Sequence, residues 1–107
     1  MLELDKTNFE EKVLKAEGYV VVDYYGDGCE PCMALKPHFH DLADQYGDKM
    51  TFAALNISKA RRVAIGQKVL GLPVIAVYQN GEKVEELVKE AATPEAVSAM
   101  VAKYAAQ

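Results

Sequence analysis

The sequence predicts an α/β sandwich built on one mixed sheet, on three observations. Short β-branched or aromatic runs alternate with helical patterns along the chain. The early runs are far enough apart for crossover helices, which parallel neighbours require. The last two runs flank Asn80-Gly81, a two-residue hairpin signal that adds an antiparallel pair. The order is β-α-β-α-β-α-β-β-α, with room for one domain over residues 1–107.

Each element has its own reason. Leu2 to Leu4 is a brief strand candidate. Thr7 stands three residues before Glu10, a capping-box spacing, and Phe9, Val13 and Leu14 follow at helical spacing up to Gly18, placed to end the helix with positive φ. Tyr19 to Tyr25 reads as a strand covered on both faces. A helix should begin near the cysteines and run to about Tyr46, with Leu35, Phe39, Leu42 and Ala43 as its apolar stripe, Pro37 inside it and Gly47 as its stop. Met50 to Leu55 is a strand, and Lys59 to Leu70 a helical segment. Val74 to Tyr78 and Lys83 to Val88 form the hairpin; Thr93-Pro94-Glu95 opens the last helix with a hydroxyl cap, an early proline and a carboxylate.

Bulk properties narrow the function. A net charge of −4 lacks the basic footprint nucleic acid requires, and no apolar run approaches a membrane span. The acidic, mixed opening MLELDKTNFEEK is unlike a secretory signal, so the expected compartment is the cytoplasm. Structural disulfides are uncommon there, which turns attention to the only two cysteines, in GDGCEPCM.

With Pro31 in the first turn of the helix, Cys29 and Cys32 fall on one face, about 5–6 Å apart at Cα, within disulfide range. Cys29 then lies at the helix N-terminus, where unpaired N–H groups favour a thiolate, and Cys32 a turn deeper. The first suits attack on a disulfide and the second suits release of the mixed disulfide. A zinc site from Cys29, Cys32, His38 and His40 is disfavoured because helical residues two apart point about 200° from each other. A staple closing so short a loop would constrain the unfolded chain little. The redox pair is the reading carried forward.

These stretches, V-D-Y-Y-G-D-G-C-E-P-C-M and G-L-P-V-I-A-V-Y-Q-N-G, resemble the thioredoxin family across essentially the whole chain. The resemblance implies the thioredoxin fold, a three-layer α/β/α sandwich whose five-stranded mixed sheet is flanked by four helices. It implies that Asp23 is a buried acid exchanging the proton of Cys32; three valines before it and two tyrosines after it also argue for burial, which raises a carboxyl pKa. It implies a cis bond at Pro73, and a groove for extended substrates lined by Gly71, Leu72 and Pro73 with Gly28, Glu30 and Pro31 beside the pair.

Departures from the family pattern are Gly28 in place of tryptophan, Glu30 in place of glycine and Met33 in place of lysine. Tyr25 replaces a second tryptophan, Ala54 a lysine near the buried acid, and the Lys89-Glu90 region a glycine. Asp27 and Glu30 flank Cys29 with no cation close in sequence, which should raise its pKa above that of the common pattern and make the dithiol a somewhat stronger reductant; Glu30 reads equally as a specificity mark that repels acidic partners, or as a solvated helix-start acid. With Ser58 to Arg62 and Gly66 to Pro73, these features resemble thioredoxins of amino-acid-fermenting anaerobes. The implied partners are a thioredoxin reductase, peroxiredoxins and glycine-reductase-type selenoproteins. Lys59, Arg61 and Arg62 read as a solvated face rather than an acidic-partner dock. No cofactor beyond the cysteine pair is implied, and a monomer is expected. The rival functions are a disulfide isomerase or oxidase and a non-enzymatic binding subunit.

Overall fold

The computed structural model describes residues 1–107. Five strands form one sheet: β1 (Leu2–Leu4), β2 (Tyr19–Tyr25), β3 (Thr51–Asn56), β4 (Val74–Gln79) and β5 (Glu82–Val88), in the order β1-β3-β2-β4-β5. β1 and β2 run parallel to β3, β4 runs antiparallel to β2, and β5 antiparallel to β4. The mixed sheet expected from the loop lengths is the one observed.

β2 sits in the middle, and its period of two sorts the interior into two cores. Val20, Val22 and Tyr24 join Phe9, Val13, Leu55 and Tyr78 on one face, where a π-helix (Glu10–Leu14) and the short helix α2 (Arg61–Gly66) cover the sheet. Val21 joins Leu35, Phe39, Phe52, Ile75, Val97 and Met100 on the other, beneath α1 (Glu30–Tyr46) and α3 (Pro94–Ala105). Side chains of this size contribute about 1.5–3 kcal/mol each when fully buried. Phe39 and Phe52 meet edge-on at 5.4 Å, tying the continuous helix that carries the cysteines to β3.

The local rules hold at the hairpin, where Asn80 (φ 50) and Gly81 (φ 86) both take the left-handed conformation. Asn80 is pinned twice, its N–H donating to the Gly18 carbonyl at 3.0 Å and its Oδ1 accepting from the Gly18 N–H at 2.8 Å. Thr93 caps α3 by accepting the Ala96 N–H at 3.1 Å.

Two sequence expectations change. The first helix has no Thr7–Glu10 capping box: Asp5 Oδ1 takes the Thr7 and Asn8 N–H groups and the Thr7 hydroxyl, at 2.8, 2.9 and 2.6 Å. A charged acceptor two residues upstream outcompetes the hydroxyl, and the helix ends at Leu14, short of Gly18. The segment expected as a helix over 59–70 is a 3-10 turn (Ile57–Lys59) and the six-residue α2, after which Lys68 turns left-handed (φ 61). Ile65 and Leu70 face solvent.

Candidate active site

The site lies where β2 hands over to α1. Gly26 takes the Leu72 side chain against its backbone, where a Cβ would come within 2.9 Å of Leu72 Cδ1. Asp27 is held by the Ser58 hydroxyl, which accepts its N–H at 3.0 Å, and by the Asn56 side-chain amide, which donates to its carboxylate at 3.0 Å. Gly28 then turns the chain with φ +75, a conformation that favours glycine over the tryptophan of the common pattern.

Cys29 is the N-cap of α1, in extended conformation, followed by Glu30 and Pro31 in the first turn. Proline here loses no helical hydrogen bond, as expected. Cys29 Sγ accepts the Cys32 N–H at 3.2 Å, so the sulfur occupies the place an oxygen cap usually fills, at the positive end of a 17-residue helix. The two cysteines are joined in a disulfide, their Cα atoms 5.3 Å apart. Cys29 is half-buried; Cys32 is 3% exposed.

Asp23 shares the face of Val21, the side covered by α1. Its strand partners are Ala54 on β3 and Ile75 on β4, so the position of the family's usual lysine is filled by a methyl group directly beside it. Asp23 is 1% exposed and neither carboxylate oxygen has a hydrogen-bond partner. Burial pushes its pKa up to about 7, against a smaller downward pull from the Lys36 charge and a further push from Glu3. That makes it an acid/base near neutrality.

Lys36 is the site cation that sequence reasoning missed. It stands four residues after Cys32, on the same helical face, and its Nζ lies 4.0 Å from the centre of the Tyr25 ring. Lys36, Tyr25, Cys32 and Met33 line one cavity of about 220 Å³ together with Gly26, Asp27 and Gly28. The i, i+4 spacing from Cys32 is legible in the sequence; the reach back to β2 is tertiary. Lys36→Gln is expected to raise the Asp23 pKa by roughly 0.5 or more, read by NMR titration of the Asp23 carboxyl. An unmoved or lowered value contradicts the assignment of Lys36 as its balancing charge.

Pro73 is buried, and the Leu72-Pro73 bond is cis. It lines a second cavity, of about 290 Å³, with Pro31, Ala34 and Leu35 of the cysteine helix and with Lys89 and Glu90. Gly71 and Leu72 lie outside that lining, covered respectively by the Lys89 side chain and packed on Gly26. His38 Nε2 meets the Ser98 hydroxyl at 2.7 Å, linking α1 to α3.

The thioredoxin family model matches residues 1–103. The chain belongs to the thioredoxin family. It is 53% identical over 104 residues to the thioredoxin of Peptoclostridium acidaminophilum, covering 97% of this chain and 94% of that one. It is equally similar to the thioredoxin of Acetoanaerobium sticklandii, with 97% and 99% covered. Both relatives come from amino-acid-fermenting anaerobes, the subgroup the sequence resembles. A Malassezia sympodialis thioredoxin structure superimposes with a TM-score of 0.87 over 98% of this chain and 91% of that one, at 22% identity, a likeness of fold. The protein is therefore a thioredoxin-fold protein-disulfide oxidoreductase with a redox-active dithiol/disulfide. No helix is long and apolar enough to cross a membrane.

Proposed function

We propose that this thioredoxin is a cytoplasmic, monomeric reductant of protein disulfides, folded as one domain and loaded by a thioredoxin reductase. Cys29 attacks a target disulfide as the thiolate, forming a mixed disulfide and expelling one target thiolate. Cys32 then loses its proton to the Asp23 carboxylate and attacks Cys29, which closes the Cys29–Cys32 bond and expels the second target sulfur as a thiolate. Two electrons pass from the dithiol to the target. The substrate strand lies along Gly71-Leu72-Pro73 and beside Gly28, Glu30 and Pro31. Kinship with thioredoxins of amino-acid fermenters supports peroxiredoxins and glycine-reductase-type selenoproteins as targets.

The observation that carries this reading is the unequal pair: Cys29 Sγ caps the helix while Cys32 is buried in the first turn on the face that covers Asp23. Reduction of insulin disulfides by the isolated protein with dithiothreitol as electron source tests it. Catalysed precipitation of the insulin B chain is expected; a rate equal to dithiothreitol alone would leave only a binding subunit.

Glu30 sets the strength of the reductant in this scheme. It is exposed and next to Cys29, so its charge opposes the thiolate without much desolvation. Glu30→Gly is expected to increase the Cys29 thiolate fraction near neutrality about twofold, measured by thiolate absorbance against pH. An equal or smaller fraction rules out the electrostatic role.

A further inference from the structure

Lys89 is one of three non-glycine residues with positive φ, at 55°. A lysine gains nothing locally from this conformation, and such outliers persist where the surroundings over-determine them. Here the surroundings are the substrate groove of the function proposed above. The Lys89 N–H donates to the Pro73 carbonyl at 2.8 Å, and its own carbonyl accepts from Ala92 at 3.0 Å. The backbone is thus tied to the cis-proline on one side and to the approach of α3 on the other.

The left-handed turn sends the side chain across Gly71. A Cβ on Gly71 would overlap Lys89 Cε and come within 3.2 Å of Cδ and Nζ. The lysine stem thus lies directly on the bare Gly71 backbone, in the space a side chain at 71 would take. The ammonium group has no ion-pair partner within 4.0 Å and the residue is exposed, although Glu90 lines the same cavity. Pro31, Ala34 and Leu35 form the apolar opposite wall. An unpaired cation is held on a flexible stem along the edge of an apolar slot, while Asp27 and Glu30 place negative charge at the Cys29 end. The charges around the groove are mixed, Lys36 sharing one cavity with Asp27 and Glu90 sharing the other with Lys89, but the Lys89 ammonium is the one lying over Gly71 beside the cis-proline.

The geometry points to Lys89 as a specificity residue that pairs with an aspartate or glutamate of the target strand, within the few residues flanking its disulfide. Resting on the reductant reading, it fixes which disulfides are chosen: those carrying an acid within reach of Lys89.

The test uses oxidised peptides in which a single glutamate, glutamine or lysine is moved through the positions on each side of the cysteine. The reduced full-length protein is the reductant, and the ratio of second-order rates for glutamate over lysine is read at each position. Wild type is expected to favour glutamate about fivefold at one position, the scale of an exposed charge pair, with the ratio falling toward one in high salt. Lys89→Gln and Lys89→Met should bring that ratio to one, and Lys89→Arg should keep it. The proposal is overturned by a wild type with no glutamate preference anywhere, or by a preference unchanged in Lys89→Gln. Failure of wild type to reduce any peptide sinks the reductant reading itself, and is distinguishable because every ratio is then undefined.

Discussion

Cys29→Ser is expected to lower catalysed disulfide reduction by at least about three orders of magnitude, and Cys32→Ser to stop turnover while leaving the first attack intact. The contrast follows from position. Cys29 sits where helix N–H groups converge and is partly open to a partner. Cys32 is 3% exposed and reaches no external disulfide, but it lies one turn from Cys29 with its Cα at 5.3 Å. An oriented neighbouring thiol acts at an effective molarity on the order of 10⁵ M, far above any free thiol in solution. Without it, the mixed disulfide between Cys29 and the target persists. Mass spectrometry of Cys32→Ser mixed with an oxidised target should therefore show a covalent adduct at Cys29. An adduct at Cys32 in the Cys29→Ser protein would reverse the roles.

The second large effect belongs to Asp23, and it concerns stability as well as rate. Unfolded, its carboxyl ionises near 3.8; folded, burial holds the proton on until about 7. Between those values folding takes up a proton, so stability falls as pH rises from about 4 to 7 and is level above. A pKa moved that far corresponds to ~4 kcal/mol at pH 8. Asp23→Asn keeps the shape and removes the charge. It should be more stable than wild type by ~4 kcal/mol at pH 8 and by almost nothing at pH 4, a difference of about 2 M in urea midpoint at the alkaline end. The same variant should slow release of the mixed disulfide by roughly 10²-fold or more, because Cys32 loses its base. A stability gain independent of pH would show that burial does not shift the Asp23 pKa.

Stability and chemistry are opposed at this residue. An unpartnered carboxyl beneath the pair weakens the protein progressively from about pH 4 to 7, and the same lack of partners brings its pKa to the pH at which it can take a thiol proton. Lys36, held over Tyr25, limits the penalty without touching the acid as a hydrogen-bond donor.

Much of this was readable before the structure. Pro31 between the cysteines specifies the helix start, and the start gives the two sulfurs different surroundings. The valine and tyrosine flanks of Asp23 indicated burial because a strand covered on both faces has no wet side. Asn80-Gly81 declared its turn by backbone permissiveness alone. What stayed hidden depends on competition or on contacts distant in sequence. Asp5 and Thr7 both offer caps, and only the three-dimensional turn shows the carboxylate taking the N–H groups. The 59–70 segment carries apolar residues, but Ile65 and Leu70 find no core to pack on and the helix stops early. Lysine itself gives no sign of positive φ at 89; the glycine usual in this region of the family is the only hint of it.

Competitive alkylation of the fully reduced protein by iodoacetamide across pH, with each cysteine followed by mass spectrometry, bears most directly on the unequal thiols. Cys29 should react at least about a hundredfold faster than Cys32, with an apparent pKa below the ~8.5 of free cysteine. Equal labelling of both sulfurs, or faster labelling of Cys32, would contradict it.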